Sequence, residues 1–126
     1  MPKVSFVIPA YNIESYIGRC IQSVKNQTFG DFEAIIVDDA STDSTPEKIV
    51  EAVGDDSRFK VVTHPTNQGL HLARKTAAAH TKGEWVFCLD GDDEVTPDFL
   101  EQVVAHIEKN PVDILHLGIT VIPENG

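Results

Sequence analysis

Strand-like and helix-like periods alternate along the whole chain, and each strand-like run gives way to a polar loop before the next helix begins. Val4-Ser5-Phe6-Val7-Ile8 is a short apolar run closed by Pro9 and a Tyr11-Asn12 turn, the pattern of a buried strand. Ile17, Cys20, Ile21 and Val24 recur at i, i+3, i+4 and i+7, which predicts a helix over residues 14 to 26 with one apolar stripe. Phe32 to Val37 reads as a second strand. Ser44, Thr45, Pro46 and Glu47 then supply helix-start chemistry ahead of inward-facing Ile49, Val50 and Val53. Phe59 to Thr63 forms a third strand, and the loop Pro65 to Gly69 leads to a helix whose inner face is Leu70, Ala73, Thr76 and Ala77. Trp85 to Leu89 is the fourth strand. Beyond it Thr96 is expected to cap a helix with Pro97 at its first position, Leu100, Val103, Val104 and Ile107 inward, and Asn110-Pro111 as its stop. Val112 to Ile119 reads as a fifth strand.

Four βα units in series imply an α/β domain of three layers, a mostly parallel sheet with right-handed crossovers and helices on both faces. At 126 residues the chain is expected to be one domain spanning residues 1–126, large enough to bury roughly two thirds of its unfolded surface. Cys20 and Cys88 lie on apolar segments and read as small core residues in a reducing compartment, so the cytoplasm is the expected location. Twenty acidic against ten basic side chains give a net charge of -10, which argues against nucleic acid or anionic lipid as the main partner. No apolar run approaches the ~18 residues of a membrane span. Thr120 to Gly126 simply follows a strand, so the expectation is a truncated domain from a longer parent, with self-association through apolar surface near Ile119 to Ile122.

In an open α/β sheet ligands bind outside the carboxyl ends of the strands, near the point where strand order reverses. Sorted by that rule, Pro9 to Asn12, Asp38 to Asp43, His64 to Gly69 and Asp90 to Asp93 all fall on one edge. With the order 3-2-1-4, Tyr11 and Asp92 would flank the crevice. Asp90, Asp92 and Asp93 crowd one strand end, where like charges repel unless a cation or proton compensates. Their hard oxygen ligands select Mg²⁺ or Mn²⁺ over zinc or copper, and the competing reading is an ordinary helix-preceding turn. Asp38 and Asp39 could accept a hydrogen bond from the imide N–H of a base or from a ribose hydroxyl, or could form a second turn. Tyr11 is a candidate stacking platform, or a plain turn tyrosine. Arg74 could face a diphosphate or steady an acid of the cluster. Of the five histidines, read mostly as surface or packing residues, His71 stands out, three residues before Arg74. No GxGxxG or GxxxxGK[ST] is present, which argues against dinucleotide oxidoreductases and P-loop NTPases.

Assembled, these segments closely resemble the amino-terminal, nucleotide-binding part of the family 2 glycosyltransferases, inverting enzymes of the Rossmann-like GT-A fold. The matching motifs are Val7 to Asn12, Ser23-Val24 with Gln27-Thr28, Ile36 to Asp43, Asn67-Gln68-Gly69 with Ala73-Arg74, and Leu89 to Asp93. Any one is weak; the five in this order are specific. The resemblance implies that Pro9 and Tyr11 border the base, that Asp39 or Asp38 holds it, and that Arg74 lies near the donor. It places Asp92 in the DxD metal motif, with Asp90 and Asp93 contacting ribose, sugar or metal. It further implies a UDP-sugar or other nucleoside diphosphate sugar as donor, Mn²⁺ or Mg²⁺ bridging the phosphates, a saccharide or lipid-linked acceptor, and a role in polysaccharide biosynthesis at the inner membrane face through missing parts. The catalytic base lies well downstream in the family, so none is assigned among these residues. Ala40 stands where the family often has Gly, and Lys75 where it often has Asn. The rival expectation is a non-catalytic nucleotide-binding or interaction module of the same fold. A nucleotidyltransferase is disfavoured, because a glycine- and lysine-rich loop is missing between Pro9 and Ile13.

Overall fold

The computed structural model describes residues 2–109. Four strands, β1 (Val4–Ala10), β2 (Phe32–Asp38), β3 (Phe59–Thr63) and β4 (Trp85–Cys88), alternate with four helices, α1 (Ile17–Lys25), α2 (Thr45–Val53), α3 (Leu70–Ala79) and α4 (Phe99–Lys109). The sheet order is β3-β2-β1-β4, the arrangement that sets Tyr11 and Asp92 beside one crevice, and every described pairing is parallel. The fifth strand expected at Val112 to Ile119, the Asn110-Pro111 stop and the apolar Ile119 to Ile122 lie outside the described residues.

The pleat sends alternate β1 residues to opposite faces. Val4, Phe6, Ile8 and Ala10 join Ile36 and the apolar stripes of α1, α2 and α4 in one core. Val7, Ile35 and Val37 pack against Ala73 and Ala77 of α3 in the other. Both faces are thus covered, and β1 and β2 read as near-continuous apolar runs for that reason. Across the first face, Phe59, Phe32, Phe6 and Phe87 form a chain of edge-to-face contacts that crosses all four strands, with centroids 6.3, 5.8 and 5.9 Å apart. Each such pair adds about 0.5–1.5 kcal/mol beyond area burial.

Several local expectations are corrected. Strand β1 continues through Pro9 to Ala10. The Pro9 carbonyl accepts from Gly91 N–H on the β4 side, so the N–H that proline lacks would fall on that side too, past Val7↔Cys88, where the ladder has ended. Helix α1 begins at Ile17, because Glu14 is drawn into the loop network described below. Val50 is 70% exposed: the inner stripe of α2 is Ile49, Ala52 and Val53, and Val50 falls on its outer flank. Leu70 is also exposed, at the first turn of α3, which lies beyond the sheet's edge. Cys20 is a buried core residue as expected, but Cys88 is exposed, together with Val86, on the α3-side face of β4. Only Trp85 and Phe87 of that strand turn inward, and α3 packs on β1 and β2 instead.

Candidate functional site

The carboxyl end of β1 is the spine of the site. Its Ala10 carbonyl accepts from Asp39 N–H at 2.9 Å on one side, and its Pro9 carbonyl accepts from Gly91 N–H at 3.2 Å on the other. The loops after β2 and β4 are therefore hung from adjacent residues of one strand. This brings the two acidic segments to one edge, as the sequence implies.

On the β2 side a cavity of about 170 Å³ is lined by Pro9, Ala10, Tyr11, Asp39, Asn67, Gly69, Leu70 and Ala73. It is smaller than the roughly 300–1,000 Å³ that whole drug-sized ligands occupy, so it suits one ring of a ligand whose remainder lies outside. Tyr11, 44% exposed, stands at its rim. Asp39 is buried, and both of its oxygens are saturated. Oδ1 accepts from Gln68 N–H and lies 2.8 Å from His64 Nδ1; Oδ2 accepts from Gly69 N–H and from Asn67 Nδ2. Gly69 holds φ +96°, a left-handed conformation that glycine adopts without penalty, and this turns its N–H and that of Gln68 onto the carboxylate. Burial is the largest influence on Asp39 and pushes its pKa up, but the Gln68 amide, His64 and the Gly69 amide together outweigh it and hold the carboxyl below its usual range. Asp39 thus sits ionised at the amino terminus of α3, where the helix dipole favours an anion. Asp38 has a different place: its Oδ1 accepts from Ser41 N–H and closes the turn.

Motif residues between the two loops act as stitching. Asn12 Oδ1 accepts from Thr42 N–H at 2.8 Å, Asn12 N–H donates to Ser41 Oγ, and Ile13 N–H donates to Thr45 Oγ1. Glu14 and Asp43 exchange backbone-to-carboxylate bonds, Glu14 N–H to Asp43 and Ser44 N–H to Glu14. Asp43, rather than Ser44, caps α2 through Thr45 N–H. Two residues here take positive φ, Asn12 at 50° and Ala40 at 59°. Asparagine tolerates that region; alanine does so at a cost that a glycine would not bear.

On the β4 side Asp90, Asp92 and Asp93 each offer a carboxylate oxygen, and the three lie within 4.8 Å of one another. That is close to the separations of oxygens around one octahedral ion, so the residues fit a small hard cation. Burial first, then the charges of Asp92 and Asp90, raise the pKa of Asp93, as expected for carboxylates crowded without compensation. Arg74 takes the second of its two expected roles: its Nη2 donates to Asp90 Oδ1 at 2.8 Å. Its Nε–H is enclosed and has no hydrogen-bond partner. Arg74 follows Ala73 of the cavity wall, so one turn of α3 serves both halves of the site. Below the acids the Cys20 thiol, pushed far up by burial and by Asp93, stays protonated against the Asp90 carbonyl and stands outside the donor set.

The loop carrying the acids is fastened to α1. Gln27, buried, donates from Nε2 to the Ser23 and Thr96 carbonyls, and its Oε1 accepts from Leu100 N–H at 2.9 Å. Helix α4 starts at Phe99, three residues beyond the expected Thr96 cap, and it is Gln27 that satisfies a first-turn amide, while Thr96 contributes its carbonyl to Gln27 and Phe99. Replacing Gln27 with Ala is expected to cost about 1–3 kcal/mol in urea unfolding, since it strands the buried Leu100 N–H, whereas Thr96→Ala costs under about 0.5 kcal/mol. Comparable losses for both would restore Thr96 as the cap.

Sequence reasoning missed His64 and favoured His71, which is exposed. His64 is buried between Asp39 and Thr76. The available signal was position: it is the first residue beyond β3, on the same edge as the other polar loops.

The sequence family described as "Glycosyl transferase family 2" matches residues 5–126. A "Putative glycosyltransferase EpsH" of Bacillus subtilis is 41% identical over 103 residues, 82% of this chain but 30% of the relative. Among solved structures, S. aureus TarS 1-349 in complex with UDP-GlcNAc superposes with a TM-score of 0.79 at 31% identity, over 90% of this chain and 37% of that one. The Pyrobaculum calidifontis mannosyltransferase PcManGT in complex with GDP-Man and Mn²⁺ also gives 0.79, at 27% identity, over 88% of this chain and 34% of that one. The chain thus spans about a third of the length of these relatives. Among the described residues no helix is long and apolar enough to cross a membrane. The family model covers nearly the whole chain, the sheet agrees in fold with these structures, and the chain belongs to glycosyl transferase family 2.

Proposed function

We propose that this chain is the donor-binding part of an inverting glycosyltransferase that moves a sugar from a UDP-sugar to a hydroxyl of a saccharide or lipid-linked acceptor, with Mn²⁺ or Mg²⁺ as cofactor. The observation that carries the reading is the single edge shared by a ring-sized cavity and a triad of acids, with Arg74 between them and its Nε–H uncommitted. Pro9 and Tyr11 border the base, and Tyr11 stacks on it. Asp39 accepts its ring N–H, and Asp38 shapes the turn that presents Asp39. A pyrimidine fits the cavity's size better than a purine, and the complex of TarS with UDP-GlcNAc supports the same preference. Asp92 is the principal metal ligand, with Asp90 and Asp93 as its neighbours. A divalent ion held by these carboxylates would supply Lewis-acid stabilisation of negative charge on a diphosphate leaving group. Arg74 restrains Asp90 and supplies a donor toward the phosphates. The carboxylate base that deprotonates the acceptor is not assigned among the described residues.

Calorimetry with UDP and Mn²⁺ tests the reading: binding is expected with the ion and lost in chelator. Binding of equal strength with and without the ion would defeat the metal's role. Affinity for Mn²⁺ should also fall from about pH 7.5 to pH 5, and more steeply than for an isolated carboxylate. The raised pKa of Asp93 means that the folded site takes up a proton at a pH where an unperturbed carboxyl would still be ionised. The same shift makes the metal-free fold gain stability as pH falls through that raised pKa, because burial first, and then repulsion from Asp92 and Asp90, favours the protonated form. A pH-independent Mn²⁺ affinity over that interval would contradict the assignment.

A further inference from the structure

His64 is about 6% exposed and is fixed from three directions. Its backbone N–H donates to the Asp38 carbonyl at 2.9 Å, Nδ1 lies 2.8 Å from Asp39 Oδ1, and Nε2 lies 2.8 Å from Thr76 Oγ1 on α3. An ionised carboxylate only accepts, so Nδ1 carries a proton; in the neutral ring Nε2 then accepts from the Thr76 hydroxyl. The ring is therefore a rigid strut between α3 and Asp39. Of the four donors on Asp39, the other three belong to residues 67–69, whose Asn67 and Gly69 also line the cavity. Those three come from the turn that leads into α3; only His64 ties the carboxylate to a side chain within the helix, Thr76.

We propose that His64 is the positioning residue for base recognition, holding the Asp39 carboxylate in the rotation that offers an oxygen to a ring N–H and so setting the preference for uracil over cytosine. The inference rests on the reading of the cavity as a base site. Its chemistry follows from saturation. Both Asp39 oxygens already carry two donors, so an incoming N–H must share one, and sharing is favourable only while the group stays ionised and held. Without His64 the carboxylate keeps only the three donors of residues 67–69 and loses the contact that fixes its rotation from α3, so the oxygen offered to a ring N–H is no longer held in place.

The test is calorimetry of UDP and CDP in the presence of Mn²⁺ on this chain. The wild type is expected to prefer UDP. His64→Ala should weaken UDP roughly tenfold while leaving CDP unchanged, the size expected for a hydrogen bond to a charged group. His64→Asn, whose side-chain amide can replace Nδ1–H, should restore most of the preference. Equal weakening of both nucleotides, or an unchanged UDP-to-CDP ratio, would reduce His64 to a packing residue and overturn the proposal. Should His64→Ala fail to fold, Thr76→Val removes only the partner of Nε2, and an unaltered ratio there overturns the proposal equally. A wild type that binds neither nucleotide refutes the base site and this inference together; the same preference for UDP in the wild type and in His64→Ala refutes this inference alone.

Discussion

Asp92→Asn is expected to lower Mn²⁺ affinity on the order of 100-fold and with it the metal-dependent binding of UDP. Outer-shell partners of metal ligands alone account for 10–100-fold in affinity, so a direct carboxylate ligand should reach at least the upper end. Asp92 is the cleanest of the three acids to change. Asp90 is tied to Arg74, so its amide would strand a guanidinium. Asp93 donates its N–H to the Asp90 carbonyl in the turn and is partly buried, so its replacement would act through the loop as well. Asp92 is exposed, and no hydrogen bond in the described structure depends on it. The variant without metal should therefore be at least as thermally stable as the parent, because one of three mutually repelling charges is gone. Mn²⁺ should raise the Tm of the parent and leave that of the variant nearly unchanged, since a ligand stabilises only the state that binds it. An equal Mn²⁺-induced rise in both proteins would remove Asp92 from the metal site.

The architecture was legible because it rests on local periodicity: each described strand and helix was visible from its own residues, whereas the strand order entered only as a condition, the 3-2-1-4 arrangement, that the pairing then met. What failed was chemistry supplied from a distance. Helix α4 is capped by Gln27, which lies 73 residues from Leu100, and α3 is capped by Asp39, 30 residues from Gly69. A search for caps in the residues just before each helix finds Thr96 and misses both. His64 was hidden in the same way, since its partner is 25 residues away on another strand. The exposure of Cys88 and Val86 follows from the place of β4 at the margin of the described sheet, which a run of apolar residues does not reveal. The matched motifs also divide in function. Asn12, Ser41, Thr42, Asp43, Ser23 and Gln27 hold loops in register, while Tyr11, Asp39, Arg74 and the acids face the cavity or the cluster.

The substitution expected to do most damage to the site is not at an acid but at the glycine between two of them. Gly91 is buried against the end of β1. A Cβ built there would overlap Ile13 Cδ1 and lie 2.9 Å from the Pro9 carbonyl oxygen and 3.1 Å from Ile17 Cδ1. The isoleucine methyls end flexible side chains and can swing aside. The Pro9 oxygen is backbone in a central strand and cannot. Gly91→Ala must therefore lift the loop, stretch the Gly91 N–H bond to Pro9 and carry Asp90, Asp92 and Asp93 away from their present spacing. The expected cost is about 1–3 kcal/mol in urea unfolding, the range for forcing atoms into a packed interior, with Mn²⁺ binding weakened beyond what the stability loss explains. Gly18→Ala in α1 is the matched control. Nothing lies within 4 Å of its Cβ position, so alanine there should stabilise by ~0.5–1 kcal/mol through helix propensity and leave Mn²⁺ binding intact. Gly91→Ala with parental stability and parental Mn²⁺ affinity would show that the acid loop does not depend on its seat against Pro9, and the spacing of the three carboxylates would then need another cause.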